Sequence, residues 1–175
     1  MNILLRIILI LAVSLSGILA PVYSAVVSTP EAAMSSHELV RLLWKASNEE
    51  NMADLNRYYD QMMEIYAVKA KDLAAQLNNF PARDKIEDFR IMNDVATAMF
   101  IKAEALMHTS KTDEAKAVFT SAGLEYPWAQ AWDPSRGAYW SIKEKSNASI
   151  KVLNGETPEQ TTVKHQGPKT ALKML

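Results

Sequence analysis

The stretch A-T-A-M-F-I-K-A-E-A-L-M-H-T-S-K-T-D-E-A-K-A-V-F-T-S-A-G-L-E-Y-P, residues 96–127, decides the fold. Its apolar and small residues recur every three or four positions: Met99, Ala103 and Leu106 before the polar H108-T-S-K111, then Ala115, Val118, Phe119 and Ala122 after it. That is the period of one helical face, present on both sides of a break. Two helices joined by so short a turn form an antiparallel hairpin. Ala103, Ala115 and Ala122 let the backbones approach, and Phe119 fills the groove between them. Thr112-Asp113-Glu114 places acidic side chains at the positive end of the second helix, and Gly123 and Pro127 close it near Glu125.

The same period continues outward. Ser35 and Ser36 can cap a first helix from about His37 to Ser47, with Leu39, Val40, Leu42, Leu43 and Trp44 on its apolar side. From Met52 to Asn78, Leu55, Tyr59, Met62, Tyr66, Ala70, Leu73 and Leu77 mark a long second helix, stopped before Pro81. The third runs from about Ala82 to Thr109. The last is expected to begin with Asp133 as N-cap and Pro134 at its first position, to turn Tyr139, Ile142, Ala148, Ile150 and Leu153 inward, and to end at Asn154-Gly155. No segment shows the sustained alternation of a strand. The fold class is therefore all-α, about five helices stacked as antiparallel hairpins.

The spacing from Ala96 to Pro127 resembles a tetratricopeptide repeat (TPR). Ala115-x-x-x-Phe119 followed by Pro127 matches that family, with Met99 at its tryptophan position, Ala103 at its small position and Leu106 at its tyrosine position. Lys102 stands where the family prefers leucine, and Ser110-Lys111 where it prefers a glycine turn. The resemblance covers one repeat of about residues 96–129. The pair from His37 to Asn78 is a degenerate second copy with its small positions out of register, and W128-A-Q-A-W132 looks like a further repeat cut short at Asp133-Pro134. The resemblance implies a concave face that holds a peptide or a protein helix.

Composition sets the setting. The chain has 175 residues, enough for one core, and a formal net charge of -1, which offers nucleic acid no basic field. Arg6 precedes an apolar run from Ile7 to Ala20 and then small residues, the pattern of a secretory signal peptide over residues 1–24 cut before Ala25. An uncleaved leader near a membrane is the alternative, although the run falls short of the roughly 20 apolar residues that span a bilayer. A linker over 25–36, a helical domain over 37–155 and a polar tail over 156–175 complete the organisation. Export without a single cysteine points to the periplasm or to secretion, with no disulfide framework.

The residues offer little chemistry. His37, His108 and His165 are not spaced as a helical metal site, and no nucleophile elbow, phosphate loop or dinucleotide glycine pattern occurs. No catalytic residue, metal or cofactor is assigned. Met52, Met62, Met63, Met92, Met99 and Met107 keep core period and read as gap fillers. The aromatic corner Y126-P-W-A-Q-A-W-D-P-S-R-G-A-Y-W140 is either a cap over the helical stack, with Trp132 and Tyr139 buried, or a platform for a glycan or another small ligand. The expectation is an exported, non-catalytic protein-interaction module. Its candidate contacts are Arg90, Lys102 and Glu104 along the third helix, with Trp128 and Trp140 at the corner.

Overall fold

The computed structural model describes residues 34–156, so the expected leader, nearly all of the linker and the tail beyond Glu156 lie outside the described residues. The order is α1 (Ser36–Asn48), α2 (Met52–Ala74), a 3₁₀ segment (Arg83–Phe89), α3 (Arg90–His108), α4 (Thr112–Glu125), β1 (Gln130–Asp133), β2 (Ala138–Ser141) and α5 (Ile142–Leu153). Apart from one antiparallel β-hairpin, the regular structure is helical. The α1–α2 and α3–α4 hairpins stack so that α3 also lies against α1 and α2, and α5 packs on α4. The core is centred on α3, whose residues from Met92 to Ile101 are all buried.

Caps set three of the helix starts. Ser35 Oγ accepts from Glu38 N–H at 3.2 Å, Asn51 Oδ1 from Asp54 N–H at 3.1 Å, and Ser141 Oγ from Glu144 N–H at 3.2 Å. The entry to α1 is a strap: Met34 O accepts from the Tyr66 hydroxyl of α2 at 2.9 Å, Ser35 caps α1, and Ser36 Oγ donates to Asp94 of α3 at 2.7 Å.

The two turns between paired helices are the same structure. Asn51 N–H donates to Ala46 O and Lys111 N–H to Leu106 O, each at 2.9 Å and five residues back. Glu50 and Ser110 take the left-handed conformation, with φ 54 and 60. The shift of 60 residues from Glu50 to Ser110 also aligns buried positions: Leu39 with Met99, Leu43 with Ala103, Ala46 with Leu106, Leu55 with Ala115, and Met62 with Ala122. The first pair thus keeps the register of the second. Sizes are exchanged instead: leucines stand at 43 and 55 and an alanine at 46, where the second pair has alanines at 103 and 115 and a leucine at 106. In the first pair Tyr59 is half-buried where Phe119 is fully buried.

The pairs differ in length, α2 having 23 residues and α4 only 14. At the point where Pro127 turns the chain away, α2 runs on through Ala67. Its overhang leaves a shallow dish of 340 Å³ lined by Lys71, Ala74, Ala75, Leu124, Glu125 and Pro127. Lys71 and Glu125 pair across it at 2.9 Å, and Val68 and Leu124 nearby are 76% and 74% exposed.

Several sequence expectations are corrected. The third helix starts at Arg90, because Arg83–Phe89 winds as 3₁₀. Asp133-Pro134 starts no helix; Asp133 ends β1, and α5 begins nine residues after it at Ile142. Ala148 is exposed, and Ser146 takes a buried place on α5. The methionines behave as core fillers, with Met62, Met92 and Met99 buried and Met52, Met63 and Met107 packed against them.

Candidate functional site

The hairpin of β1 and β2 defines the site, and the sequence A131-W-D-P-S-R-G-A-Y-W140 explains it. Asp133 Oδ1 accepts from Ser135 N–H at 2.9 Å, from Ser135 Oγ at 2.6 Å and from Arg136 N–H at 3.3 Å. Asp133 O accepts from Gly137 N–H at 2.9 Å, and Gly137 closes the turn at φ 61. Asp and Pro at the first two positions of a type I turn, followed by a glycine free to take positive φ, are a hairpin loop. Register then pairs Ala131 with Trp140 and Trp132 with Tyr139. Alternation sends the first pair to one face and the second to the other.

The inner face lies on α3. Trp140 meets Phe100 with ring centroids 5.1 Å apart, and Phe100 meets Phe119 of α4 at 5.5 Å. Gln130 N–H donates to Asn93 Oδ1 at 2.9 Å. Asn93 and Phe100 are seven residues apart, two helical turns, with Thr97 between them, and all three are buried. The chain therefore covers one stripe of α3 with its own strands. Shifted by 60, Thr97, Phe100 and Glu104, the next residue along the stripe, correspond to His37, Val40 and Trp44 of α1, while the counterpart of Asn93 is residue 33, outside the described residues. There His37 is exposed and Trp44 is 37% exposed.

On the outer face Trp132 and Tyr139 stack edge to face at 5.0 Å, and Trp132 is 47% exposed. The expectation that Trp132 and Tyr139 are buried is corrected: both stand on the strand face turned away from α3, Trp132 exposed and Tyr139 half-buried. Tyr126 is the corner's deepest aromatic residue, fully buried, with its phenol pushed up to about 12 by desolvation beside Glu125 and Tyr59. Among the described residues the Tyr126 hydroxyl, Gln130 Oε1 and Ser146 Oγ are buried without a hydrogen-bond partner.

The five residues singled out from sequence do not share a surface. Arg90 is exposed and donates to Glu87 at 2.7 Å. Lys102 is not a free groove contact, because it turns toward α2, donates to Asn56 Oδ1 and lies 5.6 Å from the Tyr59 ring; burial lowers its pKa. Glu104 continues the α3 stripe, half-buried, and burial raises its pKa against the opposing charges of His108 and Lys145. Trp128 packs edge-on against Phe80 at 5.4 Å, away from the stripe. Trp140 alone reaches it with Glu104. Asn93 and Thr97 went unremarked in the sequence, where an Asn and a Thr four apart on an apolar helix were the available signal.

Among the described residues no group of histidine and carboxylate side chains could hold a metal ion, and no helix is long and apolar enough to cross a membrane. No protein-family model, curated protein or solved structure matches the chain.

Proposed function

We propose that the chain is an exported, non-catalytic protein-interaction module built from TPR-like helix pairs, holding an extended segment of a partner along the inner stripe of α1 and α3. One observation carries this reading. The α3 stripe already holds extended chain, the protein's own β-hairpin, through the Asn93 amide on a β1 N–H and through Trp140 of β2 on Phe100. The equivalent α1 stripe offers Trp44, an aromatic anchor with a wet edge of the kind enriched at contact surfaces. The helix pairs that repeat at a shift of 60 residues support the TPR-like part.

A photo-crosslinking residue at position 44 in cells that make the protein, read by mass spectrometry, tests the surface. The reading expects one abundant adduct there and none from a crosslinker at Leu124 on the dish. The same background pattern from both positions would remove it. N-terminal sequencing of the chain from the envelope fraction tests export, with Ala25 expected at the new N-terminus.

The exposed Trp132 against Tyr139 supports a second reading, a glycan or small-ligand platform on the outer face of the hairpin. Tryptophan emission titrated with cell-wall sugars is then expected to shift. A flat titration removes this reading.

A further inference from the structure

The stripe under the hairpin is polar where a core is ordinarily apolar. Asn93 and Thr97 stand beside Phe100, all buried, and what Asn93 meets is a backbone N–H rather than a side chain. Thr97 donates its hydroxyl within the helix, to Asn93 O at 2.7 Å, which leaves Asn93 as the polar group turned to the strand. A side-chain amide that takes a strand N–H recognises any extended chain, whatever its sequence.

The hairpin that fills this seat is short, and the residues it buries within its strands are small, Ala131 and Ser141. Its two strands have four residues each, and a two-stranded ribbon of that length depends for its stability on its packing against α3. Gln130, the residue whose N–H is anchored, keeps Oε1 buried and unpartnered, which works against the docked state. The bonds of Asp133 close the turn upon itself and add nothing to the hold on α3.

We propose that the β-hairpin is an internal occupant of the α3 stripe, displaced when an extended partner segment takes the same seat. The partner segment has the hairpin's own chemistry: a strand N–H for Asn93 and a Trp or Tyr side chain for Phe100. The proposal rests on the interaction-module reading and gives that module a closed state. In the closed state only the α1 half of the inner stripe, at His37 and Trp44, is open to a partner.

The test uses the full chain and a fluorescent peptide of residues 128–141 as the probe, added in trans. Trp140→Ala removes the aromatic anchor of the tethered hairpin. Gly137→Val strains its turn, where φ is 61 and a Cβ meets nothing within 4 Å, so the strain lies in the backbone alone. Either change is expected to tighten peptide binding by about tenfold or more, since occupancy by the tethered hairpin divides the apparent affinity by the open fraction. Adding Asn93→Ala is expected to take that binding back by about tenfold. No binding by opened chains that keep their helical circular dichroism overturns the proposal, as does binding that is indifferent to Asn93.

Hydrogen exchange on the unaltered chain covers the case in which the variants unfold. The amide of Ile142, bonded to Ala129 O, and those of the β1–β2 ladder are expected to exchange at least about tenfold faster than amides in the centre of α3. Exchange of both sets only through global unfolding overturns the proposal. If it fails while position 44 still crosslinks one partner, the interaction module stands and only its closed state is removed.

Discussion

In the first helix pair the buried bulk sits on Leu43 and Leu55, with an alanine at 46; in the second it sits on Leu106 and Phe119, with alanines at 103 and 115. The turns are alike and the register is alike, so what the two pairs share is a mixture of small and large buried residues rather than a fixed residue at a fixed place. Alanine and leucine therefore trade places between two pairs that share one register.

That comparison can be broken at its deepest residue. Phe119→Ala is expected to cost about 3–5 kcal/mol in urea unfolding, because it empties a fully buried site that also supports Phe100. Tyr59→Ala, at the equivalent half-buried position, is expected to cost clearly less. Equal losses would mean that the two pairs are not energetic counterparts. Next in size is the exchange of bulk. Ala103→Leu is expected to cost about 1–3 kcal/mol by overpacking α3. Its denaturation midpoint should fall even though position 43, its equivalent, holds a leucine natively.

Smaller and opposite in sign is the effect at the turns. Ser110→Gly and Glu50→Gly relieve left-handed non-glycine residues, and each is expected to raise stability by about 0.5–1 kcal/mol. A gain at one turn and a loss at the other would separate the two. The smallest effect is the pH dependence at Asp94 of α3, which accepts from Ser36. Burial holds Asp94 above its ordinary value of 3.8, against the Ser36 hydrogen bond and the nearby charges of His37 and Arg90, with Glu87 acting in the same direction as burial. The folded chain therefore binds that proton more tightly than the unfolded chain. Its contribution to stability is fully present below pH 3.8 and is lost as pH rises through the raised value. Asp94→Asn is expected to flatten this part of the profile when urea midpoints are compared across the acid range. An unchanged slope would show that Asp94 titrates alike in both states.

How much of this was legible follows local rules. Helix α4 was readable to the residue, Thr112 to Glu125, because acidic residues, small-residue period and Pro127 agree there. The left-handed Ser110 lies where a glycine was missed, so a departure from the resemblance marked the right turn with an unusual residue. The β-hairpin was hidden because Asp-Pro opens a helix and a type I turn equally well. Gly137, four residues after Asp133, was the signal that separates them, and four-residue strands are too short to show a period. The inner stripe was hidden for another reason. Asn93 and Thr97 look solvent-facing by type, yet both are buried on the central helix, and a distant strand returns to Asn93.

The entry strap carries a mechanical consequence. Met34, Ser35 and Ser36 are three consecutive residues tied in turn to α2, α1 and α3. A pull on the chain ahead of Met34 is divided among three helices at once and cannot peel α1 away one turn at a time. Whatever tugs on that end meets the stack as a single body.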